Sequence, residues 1–321
     1  MQVIRRAFTF AVMAALIPMA SLAQDYPSRT IRLVVPVTPG SGTDATACYL
    51  ANALSKAWSA TVVVDNKPGA GAIVGTEFVA KAPADGYTLL FTYAAHFSNQ
   101  WVVATSFDAV QDFEPVARLA TSALILATKP DSPLRTTRDL MAAARQKPGA
   151  ISYASAGLGT TGHMAGALMS SMAGIQLNHI PYKAASQVPV DAASGQVDFM
   201  IGGLASALPL IKAGRLHVIA VTTTSRSANL PDVPTVAESG LPGFENSSPI
   251  WVFAPRGTPA AIVQKLSDAL TRIAATPEFK EYCVSQGIDV DIQDAAAVRG
   301  SAPGELLKWK RLVELTASKE K

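Results

Sequence analysis

From Ile31 onward, short apolar runs rich in β-branched residues alternate with longer segments of helical spacing, and this alternation restricts the fold more than any other feature. Ile31 to Val37 (IRLVVPV) is a β-rich, mostly apolar run, the mark of a strand covered on both faces. Thr43 to Trp58 follows, with Ala47, Leu50, Ala51 and Leu54 on one helical face. Thr61 to Val64 (TVVV), a glycine-rich turn from Pro68 to Gly75, a helix to about Lys81 and Thr88 to Thr92 (TLLFT) continue the rhythm. Right-handed βαβ units and mainly parallel sheets follow from such a pattern.

The pattern restarts at Leu124. Strands are expected at Leu124–Thr128, Ile151–Ala154, Asn178–Ile180, Phe199–Gly202 and Val218–Thr222. Helices at Thr137–Gln146, Thr160–Met172, Gln187–Ser194 and Ala205–Ala213 separate them. Ile250 to Ala254 gives one more strand, and Pro259–Ala275 and Leu306–Leu315 read as helices with too few strands of their own. The first sheet is therefore expected to take back the C-terminal segment. Residues 24–123 with 226–321 would form one lobe and residues 124–225 the other. Repeated crossings between lobes leave a cleft, a preferred place for ligands.

Each half carries a glycine-rich turn between a strand and a helix. Gly40-Ser41-Gly42-Thr43-Asp44-Ala45 matches G-x-G-x-x-A, and Asp65 ends the next strand where a ribose-binding acid would sit. Gly157-Leu158-Gly159-Thr160-Thr161-Gly162 is a second match. Dinucleotide binding is set aside, because an exported protein meets little NAD(P) and Pro39 directly before Gly40 is unusual for that turn. What remains is anion capture by free N–H groups at a helix N-terminus, with hydroxyl donors from Thr43, Thr160 and Thr161. The plainer reading of each loop is a tight turn with an ordinary helix cap.

Export is read from the first 23 residues. Arg5 and Arg6 precede an apolar stretch from Ala7 to Met19, and Ser21-Leu22-Ala23 places small residues before Gln24, as in a signal peptide. That stretch is shorter than the roughly 20 residues a membrane span needs. Losing both arginines takes the formal charge from +3 to +1, which leaves no basic footprint for nucleic acid. An apolar fraction of 49% excludes disorder. Cys48 and Cys283 fall in helical patterns; export permits a disulfide, and burial as free thiols is the alternative. The four histidines lack H-x-x-x-H spacing, so neither a metal nor a cofactor is expected. An exported hydrolase finds no support, since G-x-S-x-G is absent and the one S-x-x-K, Ser318 to Lys321, lies in the extreme tail.

The runs YPSRTIRLVVPVTPGSGTD and VVVDNKPGAGAIVGTEFVAKAPADGYTLL closely resemble the Bug-type receptors, periplasmic substrate-binding proteins of tripartite tricarboxylate transporters. YASAGLGTTGHMAG, HIPYK, PDVPTVAESGLPGFE and FAPRGTP continue the likeness, from Tyr26 to about Trp309. The resemblance implies a two-lobed Venus-flytrap fold of the periplasmic-binding type, α/β in class. It also implies capture of a small organic carboxylate by a monomer, delivery to membrane permease subunits, and no catalysis. Sequence alone leaves open a sensor module that reports its ligand to a membrane kinase.

By the same resemblance, Pro39, Gly40, Ser41, Gly42 and Thr43 belong to a loop that receives one carboxylate, with Asp44 as a helix cap. Tyr93 to Asn99 resembles a second cleft loop, which makes Ala95, His96 and Ser98 candidate contacts. Ser155, Gly159, Thr160, Thr161 and His163 are the candidates in the other lobe. Many relatives carry an acidic residue near the position of Gly202 and Gly203; glycines here weaken the case for an amino-acid ligand and widen the cleft. Phe97, Trp101, Trp251 and Phe253 could add π-surface for an aromatic or bulky acid.

Overall fold

The structure, a computed structural model, describes residues 26–317; the expected signal peptide at 1–23 lies outside the described residues. The first run is β1 (Ile31–Val35), α1 (Gly42–Trp58), β2 (Val62–Asn66), a 3-10 turn at Ala70–Ala72, α2 (Ile73–Ala80), β3 (Thr88–Thr92), α3 (Ala95–Val102) and β4 (Phe113–Ser122). The second is β5 (Leu124–Thr128), α4 (Thr137–Gln146), β6 (Ser152–Ser155), α5 (Thr161–Ala173), β7 (Asn178–Pro181), α6 (Gln187–Ser194), β8 (Phe199–Gly203), α7 (Leu204–Lys212) and β9 (His217–Val221). The chain then supplies β10 (Ser248–Pro255), α8 (Ala260–Ala274), α9 (Pro277–Gln286), β11 (Asp289–Gln293) and α10 (Ala295–Ala317).

Two sheets result, in the orders β11-β4-β10-β3-β1-β2 and β7-β6-β8-β5-β9. The α/β class and the two-sheet architecture follow the sequence pattern, but the strand directions are mixed where a mainly parallel arrangement was expected. β1 is parallel to β2 and β3, and β6 to β7 and β8. β10 runs against β3 and β4, and β5 against β8 and β9. The reason is topological. A strand that enters a sheet at the edge where the βαβ strands end must run opposite to them.

Register locates that edge. Ser248 pairs with Ser122 and Trp251 with Thr92, so the crossings leave the first sheet where β3 and β4 end. Leu124 pairs with Gly203, and Ile125 with Val221, so they enter the second where β8 and β9 end. The crossings are bonded together: Thr222 N donates to Leu124 O and Asn246 N to Thr222 O, both at 3.0 Å. After β9 the chain lingers, because Thr235 bridges Val221 while Ser227 and Ala228 are held by Asp289 of β11. The return to the first sheet is made by β10, from Ser248.

Several elements hide in the sequence. β4 contains Glu114, Pro115 and Arg118, which break the strand pattern, and Pro115 sits beside a register shift against β10. α9, which contains the helical pattern around Cys283, begins with Thr276 as cap and a proline at its start. Gly300, Pro303 and Gly304 mask the first half of α10, expected only from Leu306.

α10 packs on α3 and β4 and also on α5. Its Trp309 and Leu312 join one apolar cluster with Leu90 and Phe97 of the first run and Met164, Leu168 and Phe199 of the second. The last helix therefore ties both halves together. Within this cluster lies His96, fully buried, stacked on Phe253 at 4.4 Å with Phe113 and Phe97 edge-on at 4.8 and 4.9 Å. Its Nε2 is 2.8 Å from Ala109 O; a carbonyl only accepts, so Nε2 carries the proton and Nδ1 is left without a partner among aromatic rings.

Burial pushes the His96 pKa down to about 4, only partly offset by the Ala109 carbonyl and Asp108. An unfolded histidine titrates near 6.5, so between about 6.5 and 4 the unfolded chain takes up a proton that the folded chain refuses. Stability contributed by neutral His96 is present above that window and falls by about 3 kcal/mol as pH drops through it. His96→Phe should make this part of the stability–pH profile shallower, leaving the contribution of His179, whose pKa burial also pushes down to about 4. Urea unfolding across the window checks it; equal slopes for parent and variant would show that His96 is not the titrating group.

Candidate ligand-binding cleft

The β1–α1 and β6–α5 loops follow the carboxyl ends of their strands, on the edges where the chain crosses. In open α/β sheets that is where ligands bind. Both loops are built on one five-residue scheme. Gly40 takes φ +83°, Ser41 caps α1 by accepting from Asp44 N at 3.2 Å, and Asp44 Oδ2 reaches back to accept from Gly40 N at 2.8 Å. Gly159 takes φ +71°, Thr160 caps α5 by accepting from His163 N at 3.4 Å, and His163 Nδ1 accepts from Gly159 N at 3.1 Å. GSGTD and GTTGH are thus variants of a reciprocal cap, opened by a glycine because the left-handed backbone strains other residues.

The scheme decides which donors are left. The Gly40 and Gly159 N–H groups, expected to face a ligand, are consumed inside their own loops. Thr160 donates its one hydroxyl proton to Gly157 O at 2.7 Å, so it is a cap, not the ligand donor expected from sequence. The N–H groups of Gly42 and Thr43 on α1, and of Thr161 and Gly162 on α5, belong to first turns that have no intrahelical acceptor. The hydroxyls of Thr43 and Thr161 stand beside them, both partly exposed. Asp44, expected as the helix cap, is instead the reciprocal partner of the Ser41 cap, its second oxygen accepting from Asn66 Nδ2 at 2.7 Å.

Beneath the two loops the electrostatics differ. A buried carboxylate, Asp44, underlies the first turn of α1. Under α5 lie imidazoles: His163 stacks on His179 at 4.2 Å with 13° between planes, and His179 stacks on Tyr153 at 4.8 Å. Burial, and then His163, pushes the His179 pKa down to about 4. Ser155, expected to touch ligand, is fully buried with Oγ 2.7 Å from His179 Nε2 and 3.2 Å from Gly157 O; it shapes the loop from below. His179, part of HIPYK, was not suspected from sequence. Its role depends on register with Tyr153 across the β6–β7 pair.

At Gly162 a Cβ would lie 2.5 Å from Ile201 O, so glycine lets the first turn of α5 sit against the end of β8. Gly202 and Gly203 end that strand, half-buried; a Cβ on Gly203 would meet nothing within 4 Å, whereas one on Gly202 would lie 2.8 Å from Met200 Cε. Leu158, at the tip of the β6–α5 loop, is 61% exposed.

The segment after β3 departs from expectation. Tyr93 to Asn99 is no loop, because α3 starts at Ala95. His96 faces the core, as do Phe97, Trp251 and Phe253, with Phe97 edge-on to Trp251 at 5.1 Å. Ser98 is also buried, and Ala95 is left as the partly exposed candidate on that helix. The reason is the aromatic cluster itself, which gains more from burial than a solvated cleft could return. A loop that sequence treated only as a turn stands out instead. Gly69, Ala70, Gly71 and Ala72 have φ of 134°, 46°, 64° and 86°, and Asn99 Nδ2 holds Gly71 O at 2.8 Å. Two left-handed alanines in succession with glycines mark stored strain next to the β1–α1 loop.

Among the described residues no group of three or more His, Cys, Asp or Glu could hold a metal. Cys48 is exposed and Cys283 buried, both as free thiols. No helix among the described residues is long and apolar enough to cross a membrane.

Known proteins show the same organisation. The pattern of the tripartite tricarboxylate transporter family receptor, TctC, matches residues 46–317. Protein BugT of Bordetella pertussis is 32% identical over 302 residues, covering 93% of this chain and 93% of its own. Among solved structures, an R. palustris protein with adipate is 32% identical, covers 91% of this chain and 99% of its own, and superposes with a TM-score of 0.76. MatC from Rhodopseudomonas palustris with bound malate is 26% identical, covers 90% and 100%, and gives 0.71. With its match to the family pattern and its likeness to BugT, the chain belongs to the TctC receptors of tripartite tricarboxylate transporters, a family of Bug-type substrate-binding proteins and not of enzymes.

Proposed function

We propose that the chain is a periplasmic receptor that closes on a small organic carboxylate between the first turns of α1 and α5 and delivers it to the permease subunits of its transporter. The observation that carries this reading is the paired construction GSGTD and GTTGH, one at each crossing edge. Each leaves two N–H groups and a threonine hydroxyl pointing along the positive end of a helix. Adipate and malate, the ligands in the two similar structures, each carry two carboxylates, one for each helix end. The imidazoles under α5 carry no negative charge to oppose an anion as Asp44 does under α1, so α5 is the stronger end. Room at Gly203 and the exposed Leu158 suit an apolar spacer between the charges. An aromatic ligand has lost the ring surface that Phe97 and Trp251 were expected to offer.

Export through the leader at 1–23, a monomeric state and lobes of 24–123 with the C-terminal segment and 124–225 complete the proposal. The hinge would lie at the bonded crossings near Leu124, Thr222 and Asn246, with α10 as a strap.

Adipate binding measured by calorimetry tests it. Thr43→Val and Thr161→Val each remove a donor to a charged group, worth roughly 1.5–3 kcal/mol, so each should weaken binding by about 10- to 150-fold at an unchanged melting temperature. Unchanged affinity in both would overturn the site. Gly162→Ala should lower melting temperature and affinity together, because the added Cβ pushes α5 off the carbonyl of Ile201. Parent-like behaviour on both counts would show that this close approach does not hold the helix end in place.

A further inference from the structure

A cavity of about 570 Å³ lies away from both glycine loops and shares no lining residue with them. Its walls are β4, β11, α9 and the returning segments at 223–228 and 245–247. That volume is typical of small-molecule sites. Three polar atoms in its wall are buried without a partner: Thr121 Oγ1, Arg118 Nε and Asp289 Oδ2. Thr121 is 7% exposed, and an unmet buried group of this kind calls for a ligand or ordered water.

Charge narrows the ligand. Arg118 is paired with Asp291 and Arg226 with Glu238, while Glu245 and Glu305 share Lys308. What these pairs leave is one cation, Lys280, exposed at the wall, and one anion, Asp289. Asp289 Oδ1 is already used, accepting from Ser227 Oγ and Ala228 N at 2.9 Å each, so Oδ2 is the buried acceptor left without a partner.

We infer that this cavity is a second ligand site, separate from the carboxylate cleft, for an amino-acid-type zwitterion whose ammonium meets Asp289 and whose carboxylate meets Lys280. Thr121, in the same wall, carries a buried hydroxyl without a partner. The inference stands apart from the cleft proposal, since none of its residues lies in either glycine loop.

Calorimetry of the parent protein with l-glutamine and l-lysine, and with their Nα-acetyl derivatives, tests it. At least one free amino acid should bind, and acetylation, which removes the ammonium charge, should abolish binding. Asp289→Asn keeps Oδ1 for the 227–229 segment and should weaken binding at least tenfold. Lys280→Gln, at an exposed position where folding is not at stake, should weaken it as well. Thr43→Val and Thr161→Val should leave it unchanged. No heat with either amino acid at millimolar concentration would mean a water-filled cavity only and would overturn the inference. Equal binding of the acetylated forms, or parent affinity in both Asp289→Asn and Lys280→Gln, would overturn it too. Loss through Thr43→Val or Thr161→Val would place the ligand in the cleft and reject a second site.

Discussion

Leu124, Thr222 and Asn246 are joined by backbone hydrogen bonds where the chain passes between its sheets, and the rest of the arrangement depends on where this junction sits. Because the passages leave each sheet at the edge where its βαβ strands end, every loop after β1, β2, β3, β6 and β8 opens toward the junction. Helix N-termini follow those loops, so positive dipole ends collect at the same edges. The same constraint reverses β5 and β10. Mixed sheets and helix N-termini gathered at the crossing edges are therefore two consequences of one topological fact.

The glycine loops show how local chemistry exploits that placement. A helix start leaves N–H groups without partners, and most proteins cap them with side chains. Here the cap takes care of the third position and of the glycine before it, while the first two N–H groups stay open. Asp44 and His163 fill the same place in the scheme with different electrostatic character. One supplies a negative charge that opposes an incoming anion, the other an imidazole without one. In the proposed site the α1 end is thereby the weaker half and the α5 end the stronger.

Much of this was legible in the sequence. β3, β5, α4 and α6 have the residue limits expected from periodicity, and Ser41 and Thr160 stand where caps belong. The glycine loops were recognisable because left-handed glycine and cap residues are local signals. What escaped depends on contacts distant in sequence. His96 reads as a polar residue in a loop, yet Phe107, Phe113 and Phe253 close over it from elsewhere in the chain. His179 matters only because β7 lies beside β6. β4 is hidden by Pro115 and Arg118, whose cost is met by a register shift and by a pair with Asp291. The donor inventory also changed, since only geometry shows that Gly40, Gly159 and Thr160 spend their hydrogens inside their loops.

The most direct measurement is an amide-resolved NMR titration of the isotopically labelled protein with adipate. Amides of Gly42, Thr43, Thr161 and Gly162 should shift together at one ligand equivalent, with those of Gly40 and Gly159 less affected because their hydrogens are already bonded. Shifts confined to one of the two loops would contradict capture between two helix ends. Saturable binding that left both loops unmoved would contradict the site altogether.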